Sequence, residues 1–186
     1  MSNARINPAV RRLPGWVSVA LLLLFVHSAG GIGLTPQSPE VKKAVDKAAK
    51  YLETHDDPGR RVGASALSAL ALLKNRAEHT HPVVVKAQAD IAAEIERGWL
   101  SDQGDQTSIY AHGLCAYFLV ELDPEGQKPL IRKLVDSLVR WQKPHGGWGY
   151  PYEEVGDTSM TQYAVLGLWI AGEYVDQGAA TGDRQP

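Results

Sequence analysis

Residues 141–163 read WQKPHGGWGYPYEEVGDTSMTQY and separate two segments with a helical pattern of apolar residues. A connector of this length is normally polar, because its backbone runs over the surface and is solvated. Here four glycines and two prolines lie among aromatic residues, and Gln142 and Trp148 stand on either side of Gly146. The stretch therefore predicts a packed loop of defined shape, and the segments on both sides of it decide which fold it belongs to.

The composition is that of a globular protein with a sizeable core. The chain has 186 residues, of which 44% are hydrophobic and 22% charged, which favours one domain with extra segments at its ends. Its net charge is −2 and it has no block of basic residues, so we expect no binding to nucleic acid. Cys115 is the only cysteine, which excludes an intrachain disulfide and a multi-cysteine zinc cluster.

The first 34 residues differ from the rest of the chain. Three arginines precede an apolar run at residues 16–26, and small residues follow it. This order is typical of a secretory signal peptide, and the run is shorter than the roughly twenty residues of a spanning helix. The alternative is an uncleaved anchor over residues 16–34. We therefore expect residues 1–34 to be a signal peptide or N-terminal anchor and the protein to be exported, periplasmic or secreted, with or without attachment to the membrane.

Residues 38–175 predict a repeated pair of helices. Three times, an amphipathic segment that begins at a proline is followed by a segment that is apolar on almost every side. Gly98-Trp99 precedes Gly147-Trp148 by 49 residues, a period that indicates an array of helix pairs. Each all-apolar helix would then pack under an amphipathic one, in two layers. The alternative is an ordinary helical bundle, and residues 176–186 are predicted to be a disordered tail.

The run from Gln142 to Trp148 fits the pattern Q-x-x-x-G-x-W and resembles the repeats of squalene–hopene cyclases and their relatives. The resemblance to this prenyltransferase and squalene-oxidase repeat group covers about residues 38–175, most clearly in the third helix pair. It implies an all-α fold, a partial α/α toroid of three helix pairs in a double-layered arc. A closed toroid of the family has about twice as many pairs. We therefore expect two exposed apolar ends, which would associate with another copy or another chain. The alternative is that the sequence is a shortened derivative of a longer protein.

The resemblance also implies a structural role for the quoted loop. In the family, the glutamine ties down the next helix and packs on the tryptophan. Gln142, Gly146 and Trp148 would form this clamp here. An amide can satisfy helix-end groups and lie flat on an indole, and a glycine permits the tight path between them.

A catalytic role would come from the same loop. Cyclases of the family protonate an alkene with an aspartic acid in a D-x-D-D-T motif, and the matching residues here read E154-V-G-D157-T158. The resemblance implies Asp157 as proton donor, with Glu154 tuning it, but Gly156 replaces one aspartate of the motif. The alternative is that Asp157 caps the helix that follows.

No metal or other cofactor is expected. The toroidal prenyltransferases hold zinc with Asp, Cys and His, and Cys115 lies one helical turn after His112. No D-x-C pattern accompanies them, and a lone cysteine on an apolar helix is typically a core residue.

These observations favour a non-catalytic binding or interaction module with an aromatic-lined concave face. Its ligand would be an isoprenoid or another apolar molecule, or an extended peptide. The alternative is a terpenoid cyclase-like enzyme, active alone or only as an assembly, and a third is a purely structural interaction unit. The residues expected to contact a ligand are Trp99, Tyr110, His112, Trp148, Tyr150 and Tyr152.

Overall fold

A computed structural model describes residues 34–55, 61–101 and 108–175. The chain divides into two compact units, Met1–Lys42 and Lys43–Pro186. The described part of the first unit contains a turn in which the backbone N–H of Thr35 donates to Ser38 Oγ over 2.9 Å. Residues 1–33 of the predicted leader and the predicted tail lie outside the described residues.

Every regular element of the described residues is helical, as the sequence predicts. The helices are α1 Pro39–Thr54, α2 Val62–Lys74, α3 Pro82–Glu96, α4 Ser108–Leu122, α5 Lys128–Arg140 and α6 Thr158–Val175, and a 3₁₀ turn spans Trp99–Ser101.

Local sequence sets where several of these helices begin and end. Pro82 occupies the first turn of α3, where its missing N–H costs no hydrogen bond, and His81 Nδ1 accepts a hydrogen bond from the backbone N–H of Val83 over 3.3 Å. Gly98 follows the end of α3 with a φ of +89°, a conformation that an L side chain rarely adopts. Its N–H donates to Ile95 O over 3.2 Å and completes the helix end.

The helices form two layers. In one layer α2, α4 and α6 lie side by side, and α4 occupies the middle of the row. In the other layer α3 packs on α2, and α5 packs on both α4 and α6. The all-apolar helices are therefore the inner row and the amphipathic helices cover them, which is the arrangement expected of a partial helical repeat arc. Buried side chains such as Phe118, Leu119, Ile91 and Leu134 join the two layers into one core.

Small residues let the inner helices approach closely. A Cβ atom on Gly63 of α2 would lie 2.8 Å from Ala111 Cβ of α4. One on Gly167 of α6 would lie 2.7 Å from the Cα of Gly113, and one on Gly113 would overlap the carbonyl oxygen of Tyr163. Side chains at these glycines would push the inner row apart.

The first pair departs from the expected pattern. The apolar stripe of α1 is mostly not buried: Ala49 is the buried residue of this helix, while Val45 and Tyr51 are exposed. Tyr51 stacks instead on His55, with ring centroids 3.9 Å apart. The alternation of an amphipathic and an apolar helix therefore describes the second and third pairs better than the first. Within the described residues, none of the helices has the length and apolar character that crossing a membrane requires.

Candidate functional site

A groove of about 360 Å³ runs along the exposed side of the inner helices. Small residues of α2 and α4 form its floor, and larger side chains from all three inner helices border it. Leu67 on α2 is 49% exposed there, although its neighbours Ala66 and Ser68 are buried. The lining residues are Arg61, Gly63, Ala64, Leu67, Tyr110, Ala111, Leu114 and Tyr163.

A hydrogen-bonded cluster lies beside the groove at the start of α6. The Tyr110 hydroxyl lies 2.6 Å from Ser159 Oγ and donates to Asp157 Oδ1 over 3.4 Å. Ser159 Oγ also donates to the same carboxylate oxygen. One lining residue of the groove is thus connected to the predicted acid.

Asp157 is the N-cap of α6. Its Oδ1 accepts a hydrogen bond from the backbone N–H of Met160 over 2.8 Å, the bond that an N-cap residue makes to the third helical residue. The pKa of Asp157 is lowered below its usual value, mainly by the hydrogen bond from the Ser159 hydroxyl and next by the one from the Met160 N–H. Both bonds stabilise the carboxylate, so this group is ionised at neutral pH. The geometry favours the capping interpretation, because a proton donor to an alkene must be a neutral acid.

Two more of the predicted ligand contacts lie in the same region. The Tyr150 and Tyr152 rings stack with centroids 6.0 Å apart. The pKa of Tyr150 is raised, mainly by its electrostatic interaction with Tyr110. Lys143 Nζ donates to the carbonyl of Tyr150 over 2.8 Å and also to that of Glu153, which fixes the loop that carries these rings. Tyr152 and Glu154 are exposed.

A polar pair lies nearer the other end of α2 and α4, beyond the residues that line the groove. Lys74 Nζ lies 2.6 Å from Glu121 Oε1 and 5.5 Å from the centre of the Tyr117 ring. The hydrogen bond to Glu121 raises the pKa of Lys74. Leu67 and Lys74 are two helical turns apart, as are Leu114 and Glu121, so the apolar part of the groove lies between this ion pair and the cluster around Asp157.

Trp148 joins the loop to both neighbouring helices. It is 3% exposed, and its indole N–H donates to Leu138 O of α5 over 2.8 Å. Its backbone N–H donates to Thr161 Oγ1 of α6 over 3.0 Å, and the same hydroxyl donates to Trp148 O over 3.2 Å. The Asp157 N–H donates to Trp148 O over 2.7 Å. The tryptophan thus connects α5, the loop and α6.

Gln142 makes a shorter-range contact than the resemblance implies. Its side chain is exposed, and its Nε2 donates to Gly146 O over 2.7 Å, within the same loop. Gly146 has a φ of +90°, which a non-glycine residue rarely adopts. The amide therefore stabilises the turn, while Thr161 makes the bond to the next helix that the family pattern attributes to the glutamine.

Trp99 and His112 pack against each other behind the groove. Their ring centroids are 4.4 Å apart in an edge-to-face contact, and His112 is 1% exposed. His112 Nδ1 lies 3.3 Å from Ser137 Oγ, which donates to Leu100 O over 3.2 Å. These contacts link α4, α5 and the 3₁₀ turn. Neither Trp99 nor His112 is among the residues that line the groove.

The two Gly-Trp pairs that suggested the repeat are used differently. Gly98 follows the end of a helix and precedes a partly buried tryptophan, whereas Gly147 lies within the loop after α5 and precedes a buried one. The spacing of 49 residues therefore relates corresponding positions in two helix pairs, but the local geometry at these positions differs.

Cys115 is completely buried in α4, and burial raises the pKa of its thiol, so it is a neutral core residue. Among the described residues, no three His, Cys, Asp or Glu side chains form a group that could hold a metal ion.

Several residues of the site were not predicted. Leu67 and Leu114 mark the spacing of the inner helices, but those helices are apolar all round, so hydropathy alone does not indicate which side faces the groove. Ser159 and Thr161 follow Asp157 in the quoted stretch, and small hydroxyl residues at a helix start are a signal for such contacts.

Comparison with known proteins gives a distant similarity. The chain is 39% identical over 80 residues to a probable squalene–hopene cyclase of Sinorhizobium fredii. The match covers 37% of this chain and 12% of the cyclase, so it spans a small part of that enzyme. No family model and no solved structure matches the chain. The similarity supports a cyclase-like relationship, as the pattern from Gln142 to Trp148 predicts.

Proposed function

We propose that this protein is an exported, non-catalytic module that binds an elongated apolar ligand, such as an isoprenoid, in the groove of its inner helices. The observation that carries the proposal is the groove itself, which Leu67 and Leu114 help to line. Its volume of about 360 Å³ lies at the lower end of the range of small-molecule sites, and such sites are lined mainly by apolar side chains. The similarity to a squalene–hopene cyclase agrees with an isoprenoid as ligand.

The boundaries of the groove suggest how a ligand would lie. The apolar chain of the ligand would run over Ala64 and Ala111, between Leu67 and Leu114. All four side chains are apolar and need no polar partner from the ligand. A hydroxyl at one end of the ligand would donate a hydrogen bond to the oxygen of Tyr110 or Ser159, because both of these hydroxyls already donate their own protons to Asp157. An isoprenoid alcohol therefore fits better than a hydrocarbon without a polar end.

Calorimetric titration with farnesol tests this proposal. In Leu67→Gln and Leu114→Gln, a polar amide replaces an apolar side chain in the groove, and we expect affinity to fall about tenfold or more. Val139→Gln is the control, because Val139 is 58% exposed on α5 in the outer layer. Equal affinity of all four proteins, or no binding of farnesol to the natural chain, would contradict the proposal.

The alternative is a cyclase with Asp157 as the proton donor. The position of the carboxylate near Tyr110, at one end of the groove, is the observation in its favour. Its lowered pKa is the observation against it. Incubation with squalene, followed by mass spectrometry, would detect cyclic products. Products that disappear in Asp157→Asn would establish the enzyme and replace the proposal of a non-catalytic module.

A further inference from the structure

The inner helix α6 has an apolar face that the described residues leave uncovered. Its buried residues lie along one stripe toward α4 and α5: Met160, Ala164, Gly167, Ala171 and Val175. On the opposite side of the helix, Val165 is 52% exposed and Trp169 is 73% exposed, with Gln162 and Glu173 exposed at the two ends. We call these four residues the α6 face. An exposed tryptophan next to another exposed apolar side chain is typical of an interaction surface.

The first helix of the inner row offers no matching face. The exposed residues of α2 lie along a single stripe that borders the groove, namely Ala64, Leu67, Ala71 and Lys74. Ser65, Ser68 and Leu72, at the other positions around this helix, are buried. A second copy would therefore not extend the inner row by packing its α2 on the α6 face, so two copies that meet at this face would pair it with itself.

We propose that the α6 face is the interface with a second copy of this chain, in which two α6 helices pack antiparallel about a two-fold axis. Leu166 is half-buried and follows Val165 at the edge of this face. With the axis between Leu166 and Trp169, Trp169 of each copy packs on Leu166 and Val165 of the other. The pairing is isologous, so each copy contributes the same surface.

Charge selects the antiparallel direction. In this arrangement the Gln162 amide of one copy lies opposite the Glu173 carboxylate of the other and donates a hydrogen bond to it. Gln162 and Glu173 are eleven residues apart, about 16 Å along a helix, so the two carboxylates of the dimer are separated by about that length. This separation exceeds the Debye length of about 8 Å at physiological salt, so their repulsion is screened. A parallel pair would bring the two carboxylates side by side.

The size of the surface sets the strength of the association. One helix face packed on another is smaller than the roughly 800 Å² per partner of a stable complex. The dimer is therefore a weak one that dissociates on dilution. Trp169 is the residue whose removal would weaken it most, because tryptophans at the centre of an interface contribute most to affinity.

Sedimentation equilibrium of the full chain over a range of concentrations tests the interface. We expect the natural chain to approach twice the monomer mass at high concentration, and Trp169→Glu to raise the dissociation constant at least about tenfold. Val139→Glu, an exposed apolar residue of α5, is the control and should dimerise like the natural chain. Circular dichroism checks that both variants are folded.

Three results would overturn the proposal. The first is a monomeric natural chain at all concentrations, and the second is a dimer that Trp169→Glu leaves unchanged. The third is association that Tyr51→Glu abolishes, since Tyr51 is exposed on α1 and this result would mean that a face of α1 takes part.

Cross-linking tests the antiparallel direction separately. Cysteines replace Gln162 and Glu173, singly and together, and a short bis-maleimide whose reach is less than 16 Å is added. Cys115 is buried and does not react. Only the double variant should give a covalent dimer, because the cysteine at position 162 of one copy then lies opposite the cysteine at position 173 of the other. Covalent dimers from the single variants would indicate a parallel pair and contradict the proposal.

Discussion

At the scale of single residues, the chemistry of Asp157 depends on its hydrogen bonds. The sequence places an aspartate at the position of the proton donor in the cyclases that it resembles. The same position, directly before a helix, also predicts a helix cap. In the structure, Ser159 and the N–H of Met160 both donate to the carboxylate, and both favour its charged form. The residue type was visible in the sequence. Its protonation state follows from contacts that the sequence does not specify.

Two variants separate the cap from the acid. Asp157→Asn keeps a side-chain oxygen that can accept from Met160, so its unfolding temperature at pH 7 should be close to that of the natural chain. Asp157→Ala loses the acceptor and should unfold at a lower temperature. Thermal unfolding followed by circular dichroism measures both. An Asp157→Ala variant as stable as the natural chain would contradict the capping role.

The same carboxylate predicts a pH dependence. Because folding lowers the pKa of Asp157, its contribution to stability is present above the unfolded pKa of about 3.9 and is lost as the pH falls through the lower folded value. The difference in unfolding temperature between the natural chain and Asp157→Ala should therefore shrink as the pH falls from about 5 to about 2. A difference that grows on acidification would mean that the charged form is not the one that caps the helix.

The contact between Gly113 and Gly167 gives a third prediction for single residues. Gly113→Ala places a methyl group against the backbone of Tyr163 and should lower the free energy of unfolding by about 1–3 kcal/mol. Gly172→Ala is a matched control in the same inner layer, with open space around its Cβ, and should raise it by about 0.5–1 kcal/mol. Urea unfolding measures both, and equal effects of the two would contradict the close crossing of α4 and α6.

At the scale of elements, the loop of residues 141–157 holds two helices in place by contacts that only partly follow the family pattern. The sequence predicts a structural clamp from the spacing of Gln142, Gly146 and Trp148. The tryptophan does connect α5 with α6, but Thr161 supplies the bonds to α6 while the glutamine stabilises its own turn. Spacing fixes which residues are near one another. It does not fix which of two nearby polar groups reaches a given partner.

The relative cost of two substitutions tests this assignment. Thr161→Val removes both hydrogen bonds to the Trp148 backbone and should cost about 1–2 kcal/mol, because those backbone groups are partly buried. Gln142→Ala removes one exposed bond and should cost less than about 0.5 kcal/mol. The reverse order in chemical denaturation would restore the glutamine to the role that the family pattern implies.

At the scale of the whole molecule, hydropathy predicts the layers but not the surfaces. The alternation of amphipathic and apolar segments correctly predicts that α2, α4 and α6 form one row under α3 and α5. It does not distinguish the groove from the core, because an all-apolar helix has no polar side to orient it. For the same reason, it does not locate the face that carries Trp169.

Export of the protein is predicted from its first residues. The arginines and the apolar run at residues 16–26 predict removal of a leader after the small residues at 28–31. N-terminal sequencing of the protein recovered from the periplasm or the medium should begin near residue 31. Recovery only from the membrane, with residue 1 intact, would indicate the anchor instead.

Methyl NMR can show whether the inner row of helices carries a groove for an apolar ligand. Titration of isotopically labelled protein with farnesol should shift the methyl signals of Leu67, Leu114 and Ala111, which line the groove. The signals of Val45 and Val139, exposed on α1 and α5, should stay in place. Shifts confined to Val45 or Val139, or no shifts at all, would mean that the groove does not bind the ligand.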